Sequence, residues 1–215
     1  MIDLNNHLNS VKSILCLNGE IPSKDFFIRH LNLPLIAADG AANALVHMGI
    51  IPALIVGDLD SIDKTIIPDH VEILYTPDQN SADIEKCLHV VQERKLFPCL
   101  IYGATGKESD HTLYNLNIIA KYSLHYKIIF HDSAYKAKEK YGVFVSDSLL
   151  GNLKVGSKIS FISFYQSIIS TKGLAWELCK FNLSPQTPSI RNSIKSNPIE
   201  VTVHSGNVLV LYDIE

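Results

Sequence analysis

Pro52-Ala53-Leu54-Ile55-Val56-Gly57-Asp58-Leu59-Asp60-Ser61 is an apolar run that ends on a glycine and two carboxylates one residue apart. The run reads as a buried strand and Gly57 to Ser61 as the turn that leaves it. Carboxylates this close repel, and each loses hydration wherever the site is partly closed. A hard divalent cation such as Mg²⁺ resolves the conflict, because it binds through one or two carboxylates together with waters and substrate phosphates. The stretch points to metal-dependent phosphate transfer, while a solvated Asp-rich turn would use the same five residues.

On either side of this strand, apolar runs at 14–17, 35–38, 72–75, 99–102 and 127–130 alternate with helical patterns, which is the signature of an α/β sheet. Ile84, Cys87, Leu88 and Val91 recur at helical spacing, with Asn80 or Ser81 as N-cap. Leu113, Leu116 and Ala120 mark a second helix that Ser109 or Asp110 would cap, and a shorter one over 41–48 ends at Gly49. The strand ends share a chemistry: Asp39-Gly40 follows the second run, Gly57-Asp58 the third, Pro77-Asp78 the fourth and Gly103-Ala104-Thr105-Gly106 the fifth. Ligands of parallel α/β sheets bind beyond the carboxyl ends of the strands, so these ends would converge on one site. Turns collect Gly and Asp anyway, but Asp83 and Asp110-His111 add more acid than turns need.

From about residue 135 the long helical patterns stop. Short alternating segments at 157–164, 167–171, 199–204 and 208–212, punctuated by glycines, predict a small all-β domain, with 184–198 as a long loop. The expected organisation is a mostly parallel, Rossmann-like α/β domain over 1–134 followed by a smaller β domain over 135–215. With 215 residues, 47% hydrophobic and 19% charged, the composition is that of an ordinary soluble globular protein. A net charge of −3 without a Lys/Arg cluster gives no pull toward nucleic acid. Cys16, Cys87, Cys99 and Cys179 are scattered and form no Cys-x-x-Cys pair, and Cys16 and Cys99, inside apolar runs, read as reduced core residues rather than zinc ligands or a disulfide frame. Residues 1–13 lack a signal-peptide pattern, and no apolar run approaches the roughly 20 residues needed to span a bilayer. A cytoplasmic protein with no membrane partner is expected.

Five motifs appear in order: Asp39-Gly40-Ala41-Ala42-Asn43; Gly57-Asp58-Leu59-Asp60-Ser61; Asp78-Gln79-Asn80-Ser81-Ala82-Asp83-Ile84-Glu85-Lys86; Asp110-His111-Thr112-Leu113-Tyr114-Asn115; and Thr171-Lys172-Gly173-Leu174-Ala175-Trp176-Glu177-Leu178. Each alone is weak, but together and in this order they resemble the thiamine pyrophosphokinase family from near the N-terminus to the last strand. The resemblance implies a homodimer of two-domain subunits, an α/β catalytic domain followed by a β-sandwich, with the site where one subunit's α/β domain faces the other's β domain. It implies transfer of a pyrophosphoryl group from ATP to the hydroxyl of thiamine, giving thiamine diphosphate and AMP.

By match to the family, Asp58, Asp60 and Asp83 would hold Mg²⁺, with Lys86 beside phosphate. Gln79, Thr171 and Trp176 would bind thiamine; Asp39, Gly40, Asn43, Gly103, Lys107, Asp110, His111 and Asn115 would bind the nucleotide. The residue types suit these roles. Phosphoryl transfer needs positioning and charge neutralisation, and the amides of a strand-to-helix loop such as 103–106 can bind phosphate. His111 and Asn115 share a helix face at i,i+4, as Asp83 and Lys86 do at i,i+3, although a surface ion pair would give Asp83 and Lys86 the same spacing. Trp176, the only tryptophan, suits a cationic thiazolium and a flat pyrimidine, while its residue type alone favours core packing. Asn192, in Ser189-Ile190-Arg191-Asn192, falls where the family carries a Ser- and Asn-containing loop.

One departure stands out: Gly106-Lys107-Glu108 replaces the family's Gly-Gly-Arg, which places an acid where a cation is expected, with Lys107 as the neighbouring charge. Two other readings compete. A haloacid-dehalogenase-type phosphohydrolase also carries Asp-x-Asp after a strand, but on its first strand and with Thr or Val where this chain has Ile62. A non-catalytic thiamine or nucleotide sensor has less need of three metal carboxylates.

Overall fold

The continuous apolar runs become buried strands. The computed structural model describes residues 1–133 and 139–214, and the chain gathers into two compact units. One holds Met1–Ser10, Ile119–Phe130 and the chain beyond the undescribed stretch, and it opens with β1 (Ile2–Asp3). The other holds Val11–Ile118 and a short piece that begins at His131. The expected boundary between 134 and 135 lies outside the described residues. Among the described residues no helix is long and apolar enough to cross a membrane.

In the Val11–Ile118 unit, β2 (Ser13–Cys16), β3 (Leu35–Ala38), β4 (Leu54–Gly57), β5 (Glu72–Tyr75) and β6 (Cys99–Tyr102) pair in parallel, in the order β6-β2-β3-β4-β5. Every residue of β2, β3, β4 and β6 is buried, as expected of strands covered on both faces. Strand β5 ends the order and is largely exposed. The helices are α1 (Lys24–Ile28), α2 (Asp39–His47), α3 (Asp83–Glu93) and α4 (Ser109–Tyr122). α2 closes as expected: Gly49 takes φ +69° and its N–H reaches the Val46 carbonyl at 2.8 Å. The expected N-cap of α3 does not form. Ser81 gives its hydroxyl to Asp78 at 2.6 Å, Ala82 stands at the cap, and the Glu85 carboxylate accepts the Ala82 N–H at 3.3 Å. Ser109 and Asp110 are the first two residues of α4.

The other unit is mainly antiparallel. β8 (Lys140–Val145), β10 (Lys158–Ile162), β13 (Ser189–Ser193) and β15 (Val208–Asp213) lie in the order β13-β10-β15-β8, with β7 (Ile128–His131) beside β8. β9 (Ser148–Gly151), β11 (Ser167–Lys172), β12 (Phe181–Leu183) and β14 (Ile199–Ser205) join β1 in a five-stranded sheet, β1-β9-β14-β11-β12. The expected loop over 184–198 contains β13, so that expectation is corrected. The strand is polar, pairs among the described residues only with β10, and is bulged at Arg191 (φ +57°), so neither alternation nor apolar content betrays it.

This unit contains a buried pH-sensitive lock. His7 Nδ1 lies 2.6 Å from the Leu4 carbonyl and must donate to it, so Nε2 accepts the hydroxyl of buried Tyr212. Burial lowers the His7 pKa to about 4 from 6.5. The folded state binds the proton less tightly than the unfolded state, so this contribution is complete above pH 6.5 and disappears as pH falls through about 4. The shift corresponds to about 3 kcal/mol. We expect urea unfolding across that window to show the loss, and His7→Gln to flatten it. Equal pH slopes in the two proteins would remove His7 as its source.

Candidate active site

The parallel register creates the site. Ala38 pairs beside Val56, so the next residues, Asp39 and Gly57, leave the sheet side by side. The fit is close: a Cβ on Gly57 would lie 2.2 Å from the Asp39 carboxylate. Asp39 is buried at 3% exposure. Its two oxygens accept the N–H groups of Gly40 at 2.7 Å and Leu59 at 2.8 Å. Leu59 adopts φ +64°, and this bend places Asp58 and Asp60 on either side of a backbone amide fixed to Asp39.

Asp58 accepts the Gln79 side-chain amide at 2.8 Å, and this hydrogen bond, with the Asp60 N–H next in weight, holds its carboxyl below the usual range. Asp60 accepts the Ser61 hydroxyl at 2.7 Å. Carboxylate oxygens of Asp39, Asp58 and Asp60 all lie within 4.8 Å of one another. Three acids facing one point, one of them buried with both oxygens pinned by amides, form an oxygen donor set that fits a hard divalent cation.

Asp83 begins α3 next to this cluster. Its carboxyl is pushed up, first by burial and then by the negative charge of Asp39. Lys86 Nζ lies 4.0 Å from it, on a side chain only 7% exposed, and opposes the shift. The three acids that come together are therefore Asp39, Asp58 and Asp60, with Asp83 beside them. Asn43, expected at the nucleotide, spends its amide on the loop instead: it donates to the Ser61 carbonyl at 2.8 Å and accepts the Asp63 N–H at 2.9 Å.

A cleft of about 850 Å³ opens between the ends of β2 and β6 and the starts of α3 and α4. Gln79, Asp83, Lys107, Asp110, His111 and Asn115 line it, as do Asn18, Gly19 and Tyr114. Gly40 lies at the mouth of β3, where a Cβ would come 2.6 Å from the Asn18 amide. Gly103 lies beneath the cleft rather than in its wall: its carbonyl accepts the Gly19 N–H at 2.9 Å, and the Thr105 carbonyl accepts that of Glu20 at 2.8 Å. Lys107 donates to Asn18 at 2.8 Å and Asn115 to the Ala104 carbonyl at 3.0 Å. Glu108 also lines the cleft; it is exposed and grouped with Asp110 and His111. Tyr114 links α4 to α3 through the Glu85 carboxylate at 2.7 Å.

Sequence reading missed Asn18-Gly19 and the Tyr114–Glu85 link. The first carries a legible signal, since Asn-Gly after an apolar run marks a strand end like those of the second to fifth runs. The second joins residues 29 positions apart on two helices and has no local signature.

Thr171 and Trp176 belong to the other unit. Thr171 is buried, donates its hydroxyl to Glu177 at 2.9 Å and accepts the Leu178 N–H at 2.9 Å. Trp176 is 65% exposed, so core packing does not explain it.

The family model described as thiamin pyrophosphokinase, catalytic domain, matches residues 32–130. Thiamin pyrophosphokinase 1 of Caenorhabditis elegans is 27% identical over 96 residues, a stretch that spans 40% of this chain and 40% of that protein. Among solved structures, thiamin pyrophosphokinase from Candida albicans superposes with a TM-score of 0.82 at 16% identity, covering 100% of this chain and 92% of that one. The yeast enzyme gives 0.82 at 17% identity (100% and 90%), and that of Bacillus subtilis 0.74 at 19% (94% and 98%). At these identities the superpositions establish the α/β-plus-β fold.

Proposed function

We propose that the chain, matched over residues 32–130 by the thiamin pyrophosphokinase catalytic domain, belongs to that family and transfers the pyrophosphoryl group of ATP to the hydroxyl of thiamine, releasing AMP and thiamine diphosphate. The observation that carries the reading is the meeting of the Asp39, Asp58 and Asp60 carboxylates within 4.8 Å at the strand ends, in the same unit as the cleft. Mg²⁺ bound there would neutralise the triphosphate and the charge that develops on its oxygens in the transition state.

The remaining work falls to the chain's own groups. Asp39, Asp58, Asp60 and Asp83 would hold the cation, and Lys86 would offer its ammonium to phosphate. Gln79, already bonded to Asp58, would orient the thiamine hydroxyl. Lys107, held by Asn18, stands in for the family's arginine and would balance Glu108, with Asp110, His111 and Asn115 at the nucleotide. Trp176 would meet the thiamine rings, and Thr171, its proton committed to Glu177, would offer an acceptor lone pair. We further propose that residues 1–134 form the catalytic domain and 135–215 the thiamine-binding β-sandwich of a homodimer, and that the protein works in the cytoplasm, where thiols such as Cys16, Cys87 and Cys99 stay reduced.

Neither rival reading is favoured, because a dehalogenase motif would sit on the first strand rather than β4 and a sensor has little need of the carboxylate cluster. Incubation with ATP, Mg²⁺ and thiamine, followed by chromatography of nucleotides and thiamine esters, tests the proposal. AMP and thiamine diphosphate in equal amounts are expected. ADP with thiamine monophosphate would refute pyrophosphoryl transfer, and the absence of either ester with any nucleoside triphosphate would refute catalysis.

A further inference from the structure

We propose that Asn192 and Glu177 are positioning residues that fix Trp176 as a rigid platform for a flat cationic ligand, which deepens, and rests on, the reading of Trp176 as a thiamine contact. An indole that is 65% exposed ordinarily has little to hold it. Here the holding is done through the backbone. The Trp176 N–H donates to Asn192 Oδ1 at 3.2 Å, and the Trp176 carbonyl accepts Asn192 Nδ2 at 2.7 Å. One side-chain amide thus closes on both backbone groups of a single residue. Asn192 is itself 3% exposed on β13, and its Oδ1 also accepts the Ser193 N–H at 2.8 Å. Buried amides must be satisfied, and this one commits both a donor and an acceptor to an exposed neighbour sixteen residues away.

Glu177 closes the segment from the other side. Its Oε1 accepts the Leu174 N–H at 3.0 Å and its Oε2 the Thr171 hydroxyl at 2.9 Å. The Thr171 N–H reaches the Leu178 carbonyl at 2.8 Å, and the Ala175 N–H reaches that of Ser193 at 2.8 Å. Gly173 makes the bend at φ +89°. Both residues that flank Trp176 therefore take part in this network, so the backbone that carries the indole is ordered before any ligand arrives. An electron-rich indole face held in this way suits an aromatic cation, because the ligand need not order its own contact.

Trp176 is the only tryptophan, so the fluorescence of the intact protein reports on this position alone. Asn192→Ala should increase the amplitude of the fast anisotropy decay and the quenching by acrylamide. It should also weaken thiamine binding, read as quenching of Trp176, by roughly 10-fold, with ATP binding measured by calorimetry unchanged. Glu177→Ala, a surface change, should act in the same direction, and Glu177→Gln, which keeps an acceptor, should restore most of the parent behaviour. If Asn192→Ala does not fold, Glu177→Ala and its rescue carry the test. Anisotropy in Glu177→Ala indistinguishable from the parent would overturn the proposal. A parent protein whose fluorescence ignores thiamine, while the variants still loosen the indole, would refute the thiamine reading and leave the positioning role supported.

Discussion

Asp58→Asn is expected to lower kcat for AMP formation roughly 10²- to 10³-fold, the scale seen when one preorganised electrostatic contact to a transition state is removed. The substitution keeps the shape of the side chain, so an amide oxygen can still accept the Gln79 N–H that reaches Asp58 at 2.8 Å. It removes one of three charges that meet within 4.8 Å. The hydrogen bonds that hold the Asp58 carboxyl below its usual range make its charge slightly favourable to the fold, so thermal unfolding in a chelator should place the variant at or slightly below the parent protein. Added Mg²⁺ should raise the parent's midpoint by mass action and move the variant's much less. A variant that melts well below the parent in chelator would make Asp58 a structural residue. Undiminished turnover would remove the carboxylate cluster from catalysis altogether.

How far the sequence foretold this arrangement depends on how local each determinant is. Strands β3, β5 and β6 appear with the expected bounds and β2, β4 and β7 within one residue of them, because each is an apolar run bounded by turn residues. β8 was missed for a related reason: Lys-Tyr-Gly-Val-Phe-Val is buried nearly throughout and carries none of the alternation expected of the β region. Gly142 within it looks like a breaker, yet it is the residue that lets Phe130 pack, since a Cβ there would lie 2.2 Å from that ring. In the site, the carboxylates at 58 and 60 were legible because they share one turn. That Asp39 would stand near them followed from the convergence of the strand ends, but its place as the third carboxylate of the cluster did not, since it depends on the pairing of Ala38 with Val56, a register between strands that no local motif encodes. The N-cap of α3 failed as a prediction for a third reason. The helix begins at Asp83, so Ala82 stands at the cap and Ser81 lies one residue outside it, its hydroxyl given to the Asp78 carboxylate.

Gly103→Ala should be the most destabilising single-methyl change in the α/β unit, costing about 2–5 kcal/mol as the sum of a left-handed residue and an overpacked contact. Gly103 takes φ +68°, and a Cβ there would lie 2.1 Å from the Leu17 carbonyl oxygen. The obstacle is backbone, so no rotamer change relieves it. The ends of β2 and β6 would have to separate, although they are joined by Leu17 N–H to the Tyr102 carbonyl at 2.9 Å and Gly19 N–H to the Gly103 carbonyl at 2.9 Å. Gly156 supplies the comparison: its φ is +89°, but a Cβ there meets nothing within 4 Å. Gly156→Ala should therefore carry only the conformational cost, about 1–2 kcal/mol. Urea midpoints of the two variants separate the effects. Equal losses would mean that backbone conformation alone makes glycine necessary at 103. A clearly larger loss at 103, accompanied by weaker ATP binding as the Asn18–Lys107 wall of the cleft shifts with β2, would tie the close crossing of these two strand ends to the shape of the site.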